Sequence, residues 1–177
     1  GKLPDVPVFL DSPMAVDASE LYQRFHGQHR LDEDERLRLQ TAATLVHTPE
    51  QSKELDRRSG PMIIVSASGM AAGGRVVHHL KAFIGDARNL ILLAGFQAPG
   101  TRGGALVNGA TQLRMHGQDF PVRAAVGQLR SSSSHADADD LLAWMGKLSK
   151  PPRTTFVTHG EPAASDALRY RIEHELG

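Results

Sequence analysis

The sequence predicts an α/β protein, a Rossmann-like and mostly parallel sheet flanked by helices. Three observations predict it. Apolar runs at residues 6–10, 61–65 and 89–94 are short and lack polar alternation, each ends in a turn of small residues, and each turn leads into a helix-patterned stretch. Strand, tight turn and helix repeated in this order build a doubly wound sheet. In such sheets ligands bind at the carboxyl ends of the strands. The 177 residues suffice for one domain, or for one domain and part of another.

In chain order, Val6-Pro7-Val8-Phe9-Leu10 is the first buried strand, bounded by Asp11-Ser12-Pro13. Ser12 suits an N-cap and Pro13 a first helical position. The following helix carries Ala18, Leu21, Tyr22 and Phe25 as a core-facing stripe. Residues 27–60 are polar, with one helix opening at Leu31-Asp32-Glu33-Asp34-Glu35-Arg36 and another capped by Thr48-Pro49-Glu50-Gln51-Ser52. Leu37, Leu45 and Val46 are its expected anchors.

Pro61-Met62-Ile63-Ile64-Val65 is the clearest strand, and Ser66-Ala67-Ser68-Gly69-Met70 turns it into a helix with Val76, Val77, Leu80, Phe83 and Ile84 on one face. Asn89-Leu90-Ile91-Leu92-Leu93-Ala94 ends in Gly95-Phe96-Gln97-Ala98-Pro99-Gly100-Thr101 before a short helix reaching about Asn108. Alternation at 112–115 and 122–126, with Gly117-Gln118-Asp119 between, signals a hairpin. Ala138, Leu141, Leu142 and Met145 mark a helix that Pro151-Pro152 should stop. Arg153-Thr154-Thr155-Phe156-Val157-Thr158 reads as a strand, and Leu168, Ile172 and Leu176 line a closing helix.

Twenty basic side chains balance twenty acidic ones, so nucleic-acid contact must come from a local patch or from backbone amides. The absence of cysteine excludes disulfides and thiolate metal sites and fits a reducing, cytoplasmic setting. No apolar run is long enough to span a bilayer, and no membrane role is expected. The abrupt start at Gly1-Lys2-Leu3-Pro4 reads as a piece of a longer protein.

Nine histidines invite sorting. His26, His29, His47, His116 and His174 sit in polar or terminal contexts and read as surface or structural residues. His78-His79 lies inside an amphipathic helix and lacks the i, i+4 spacing of a metal pair. His135 follows four serines and precedes a helix, where hydroxyls and free amides suit an anionic oxygen. The plainer reading is a turn beside a cap at Ser134 or Asp137. His159 follows a strand and precedes Gly160-Glu161, either as a turn residue or as the second functional imidazole at the same edge. The pair is no complete zinc site, which needs three or four protein ligands. The turns at 66–69 and 95–101 match neither the dinucleotide fingerprint nor the P-loop. Amide contacts to phosphate are their functional reading, and simple strand-to-helix connection the other.

Pro7-Val8-Phe9-Leu10-Asp11-Ser12-Pro13-Met14-Ala15, Ile64-Val65-Ser66-Ala67-Ser68-Gly69-Met70 and 94–101, with Ser133-x-His135-Ala136-Asp137 and Thr158-His159-Gly160-Glu161, together resemble the β-CASP nucleases. These are the nucleic-acid-processing branch of the metallo-β-lactamase fold, and the likeness is to bacterial and archaeal relatives of the cleavage and polyadenylation endonuclease. The resemblance implies a β-CASP domain at residues 1–128 and the returning C-terminal part of the lactamase domain at 129–177. It implies a metal-dependent endoribonuclease with two zinc ions in the full-length protein, acting on single-stranded RNA in the cytoplasm.

On the same resemblance His135 is the catalytic histidine beside the scissile phosphate, His159 ligates one zinc, and Ser133, Ser68, Gly69, Gly100 and Thr101 face the RNA. Asp11 is left as structural. The H-x-H-x-D-H signature is absent from the chain and is expected upstream of Gly1, so the chain alone should not cleave RNA. Ser132 stands where the family often has an apolar residue. The other readings are a catalytically silent module that binds RNA or a protein, and a Rossmann-like nucleotide-binding domain, against which the missing glycine fingerprint counts. Apolar surface near the final helix could also pair two copies into a homodimer.

Overall fold

The computed structural model describes residues 5–129 and 135–177. The chain divides into two compact units, one up to residue 131 and one from 132. The first begins with β1 (Val8–Asp11), α1 (Pro13–Arg24), α2 (Glu33–Thr41), β2 (Thr44–Leu45) and α3 (Pro49–Leu55), with a 3-10 turn at His26–Gln28. It continues through β3 (Ile63–Ser66), α4 (Arg75–Phe83), β4 (Leu90–Ala94), α5 (Arg102–Val107), β5 (Gln112–Met115), β6 (Gln118–Pro121) and β7 (Ala125–Leu129). The second contains α6 (Ala138–Met145) and α7 (Pro162–Glu175).

The fold is the expected mixture of parallel strands and flanking helices, and its helix starts follow local chemistry. Ser12 caps α1 by accepting from the Ala15 amide, with Pro13 at the first helical position. Asp32 with Glu35, and Thr48 with Gln51, form reciprocal capping boxes on α2 and α3. The parallel strands form two separate ladders rather than one sheet: β2-β1-β3, with Phe9 opposite Thr44 and Ile64, and β4-β7, with Leu92 opposite Gly127.

The core of the first unit gathers Val77, Leu80 and Ile84 of α4, Leu93 of β4, Leu106 of α5, and Leu113 and Met115 of β5. The apolar stripe expected on α4 is therefore the face that packs. On α1 the expectation fails. Leu21, Tyr22 and Phe25 are about half exposed and Ala18 is exposed, while Val16 is buried. The tight turn at Ser12-Pro13 sets the phase of the helix so that Val16, not the longer stripe, faces the sheet. Leu37 is likewise 56% exposed, whereas Val46 is buried as expected.

The hairpin also differs from its sequence reading. β5 pairs antiparallel with β6 at 118–121, Met115 opposite Gln118, around a turn at His116-Gly117. Both turn residues have positive φ, 46° and 80°, the geometry of a primed two-residue turn whose twist matches the strands. Residues 125–129 are instead the parallel partner of β4.

In the second unit, α6 ends at Met145 with Gly146 as its cap, before Pro151-Pro152 is reached. Residues 153–158 form no strand, because no ladder partner lies beside them among the described residues, and Phe156 is 83% exposed. Asp137 with Asp140 builds the capping box of α6, and Arg171 of α7 reaches Asp139 at 2.7 Å to tie the two helices. Among the described residues no helix is long and apolar enough to cross a membrane.

Candidate nucleic-acid interface

The carboxyl ends of β3 and β4 carry the first group of expected site residues. After Ser66 the backbone turns sharply, with Ser68 and Ala71 at φ of 70° and 54°, and the Ser68 hydroxyl accepts from the amides of Ala72 and Gly73 at 3.1 and 3.3 Å. After β4, Gly100 has φ 80° and Thr101 caps α5. The Thr101 hydroxyl donates to the Ala98 carbonyl at 2.7 Å and accepts from the Gly104 amide at 3.0 Å. These two bonds commit the hydroxyl to the turn itself.

The two loops lock together. The Gly103 amide donates to the Met70 carbonyl at 2.9 Å, and Arg102 donates through Nη1 to the carbonyls of Ala71 and Ala72, both at 3.0 Å. Gln97, 7% exposed, lies against Gly103, where a Cβ would coincide with its Oε1. That Oε1 is buried with no hydrogen-bond partner among the described residues. Ser68, Gly69, Gly100 and Thr101 thus share one edge of the first unit, on a scaffold of hydrogen-bonded backbone.

Behind that edge lies a charged network absent from the expected site. Asp11, at the end of β1 and fully buried, receives Arg75 Nη1 at 2.6 Å, the Ser52 hydroxyl at 2.5 Å and His79 Nε2 at 2.7 Å. His79 Nδ1 faces Asp56 Oδ1 at 2.6 Å, so each ring nitrogen meets a carboxylate. Arg75 also donates to the carbonyls of Val46 and His47. Burial pushes the Asp11 carboxyl up. The hydrogen bonds from Ser52, Arg75 and His79, with the charge of His79, outweigh it and hold the carboxyl below its ordinary range. The structural reading of Asp11 agrees with this network, which ties β1, α3 and α4 together. Its sequence signal is His79 itself, three positions after Val76 and four before Phe83 on a helix face that packs.

In the second unit the structure brings His135 and His159 together. Their ring centroids are 5.7 Å apart at an interplanar angle of 31°, and both residues are exposed. His159 sits at φ 70°, the left-handed conformation of a sharp turn. Ser133 lies outside the described residues. Two imidazoles do not make a zinc site, and among the described residues no group of three or more His, Asp or Glu could hold a metal ion. These residues do not fit a zinc ion by themselves.

Comparison with known proteins adds to this geometry. Residues 1–106 match the model of the Beta-Casp domain, and residues 119–177 match that of the Zn-dependent metallo-hydrolase RNA specificity domain. A ribonuclease from Thermus thermophilus is 39% identical over 167 residues, covering 90% of this chain and 38% of the relative. An RNase J-like protein from Methanocaldococcus jannaschii is 31% identical, covering 91% of this chain and 37% of the relative. A transcription termination factor from Methanosarcina mazei is 27% identical, covering 99% and 29%. The chain therefore spans less than two-fifths of the length of these relatives.

Proposed function

The chain belongs to the β-CASP family of metallo-β-lactamase-fold nucleases, and on that footing we propose that it is the RNA-holding part of a metal-dependent ribonuclease. Residues 1–128 act as the β-CASP domain and 129–177 as the returning portion of the lactamase domain. The observation that carries the reading is the pair His135 and His159, set 5.7 Å apart in the segment that matches the RNA specificity model. Two imidazoles at that separation can address neighbouring atoms of one substrate.

In this reading His135 lies beside the scissile phosphate and gives a proton to the departing sugar oxygen. His159 contributes one imidazole to a centre of two zinc ions whose remaining ligands come from elsewhere in the complete protein. Ser133, Ser68, Gly69, Gly100 and Thr101 face the RNA. For Thr101 the contact falls to its backbone, since its hydroxyl is committed to the α5 cap. The substrate is single-stranded cytoplasmic RNA, and pairing of two copies over exposed Trp144, Tyr170 and Leu176 is the proposed oligomer.

The test uses the complete protein with zinc or manganese and a labelled single-stranded RNA. His135→Ala should slow cleavage by about 10²–10⁴-fold, the usual worth of a general acid, with metal content and RNA affinity retained. His159→Ala should lower metal content. Unchanged cutting by the first variant removes the role of His135, and a complete protein that binds no metal overturns the enzyme reading.

A further inference from the structure

Away from the two histidines of the second unit, two cationic side chains and two imidazoles lie where α4, α5 and the β5–β6 hairpin meet. His78 and Lys81 are three apart on α4 and so share a face. His116 stands at the hairpin turn, its ring 5.1 Å from that of His78. The Lys81 amine lies 5.6 Å from the centre of the Phe120 ring on β6. Arg102 opens α5 and donates Nε to the Arg114 carbonyl at 2.9 Å, besides its bonds to Ala71 and Ala72. The guanidinium is therefore fixed in place.

Among the described residues none of the four takes part in an ion pair. The acidic residues of this region are committed elsewhere, Asp119 to Arg114 and Asp86 to Arg88. Lys81 and Arg102, like charges without a counter-charge, cost free energy in the unliganded protein, a cost that a bound anion removes. The same crowding acts on His116, whose pKa is pushed down by desolvation and then by Lys81, His78 and Arg102.

We propose that His78, Lys81, Arg102 and His116 form a second RNA contact, a cationic track that takes phosphodiester oxygens of the strand after it leaves the strand-end loops. The proposal rests on the ribonuclease reading above. Three features favour a polyanion strand over a small phosphate ligand or an acidic protein segment. The charges are spread over three elements rather than converging on a pocket. Arg102 directly follows Thr101 and binds the carbonyls of Ala71 and Ala72, so the track continues the edge formed by Ser68, Gly69, Gly100 and Thr101. Exposed imidazoles offer flat faces as well as charge, which suits unpaired bases.

The test measures RNA affinity of the complete protein against salt concentration, with a chelator present so that the strand stays intact. Arg102 is left untouched because it holds three carbonyls. His116→Asn keeps a residue type that tolerates the left-handed turn, and His78→Gln and Lys81→Gln remove the other charges. Removing the Lys81–phosphate interaction should flatten the slope of log affinity against log salt by about 0.7 for a single strand, Lys81→Arg should restore it, and His116→Asn should add to the flattening in acid, where the imidazole is protonated.

In the unaltered protein affinity should rise as pH falls through the lowered His116 value. That rise should be smaller in His116→Asn, where His78, Lys81, Arg102 and the Arg114–Asp119 pair are the titratable and charged groups left facing the position. Unchanged slopes in the triple variant of a protein that binds RNA overturn the track and leave the ribonuclease reading standing. A complete protein that binds no RNA overturns both. Weakened binding of polyglutamate with RNA binding unaltered also overturns the track.

Discussion

Replacing Asp11 by Asn tests the buried network most directly, because it keeps the shape of the side chain and removes its charge. The carboxylate is fully buried and accepts from Ser52, Arg75 and His79 at 2.5–2.7 Å. Removing one member of a buried pair typically costs about 3–5 kcal/mol, since the partner is left uncompensated. Arg75 keeps the carbonyls of Val46 and His47, and its side chain is 18% exposed, which puts the expected loss at the lower end, about 3 kcal/mol.

For a chain of this size that corresponds to a fall in melting temperature of roughly 6–12 °C. Hydrogen exchange of peptides covering 8–11 and 75–83 localises the effect to β1 and α4. The pH dependence fixes its origin. The carboxyl ionises more readily in the folded chain than in the unfolded one, so its contribution is complete above the ordinary value near pH 4 and disappears as pH falls through the lower folded value. The difference between the two proteins should therefore shrink in acid below about pH 4. A loss under about 0.5 kcal/mol at neutral pH, the range of ordinary surface changes, or one that persists unchanged in strong acid, refutes the network as an electrostatic tie.

Two further perturbations probe the site's scaffold. Gly103→Ala places a methyl where Gln97 Oε1 lies and should cost about 1–3 kcal/mol by overpacking; Gln97→Ala should relieve part of that loss in the double variant, measured as non-additivity in urea unfolding. Asp137→Ala removes the capping box of α6 and should cost about 1 kcal/mol, seen as a lower unfolding midpoint in the fluorescence of Trp144, the single tryptophan.

What the sequence reveals and what it conceals divide along physical lines. The caps at Ser12, Asp32 and Thr48 depend on residues within one turn and are readable locally; the structure has each of them. The apolar face of α4 is equally plain, because its stripe and its burial coincide. Phase and pairing are not local. α1 carries an apolar stripe that a helical period alone assigns to the core, yet the turn that feeds it aims Val16 inward instead. The hairpin strand at 118–121 escapes a pattern reading because the turn lies at His116-Gly117, a left-handed pair in which histidine replaces the more usual asparagine.

The site shows the same division. The small-residue turns at the strand ends, and the helix starts that follow His135 and His159, are legible in the sequence. The His79 carboxylate network is not, since its partners lie 23 and 68 positions away in sequence. Nor is the role of Arg102, whose three carbonyl acceptors come from two different parts of the chain.

The β4–β7 ladder has a consequence for the order in which the chain folds. Its strands are separated by α5 and by the whole β5–β6 hairpin, so pairing Leu90 with Ala125 closes a long loop. Loop closure is an entropic cost, and hairpins form in microseconds. A hairpin that forms first shortens the effective loop and carries Leu113 and Met115 onto the α4 face before β7 arrives. The parallel ladder then closes last, and substitutions that slow the His116-Gly117 turn should delay folding more than substitutions in β7, which should chiefly speed unfolding.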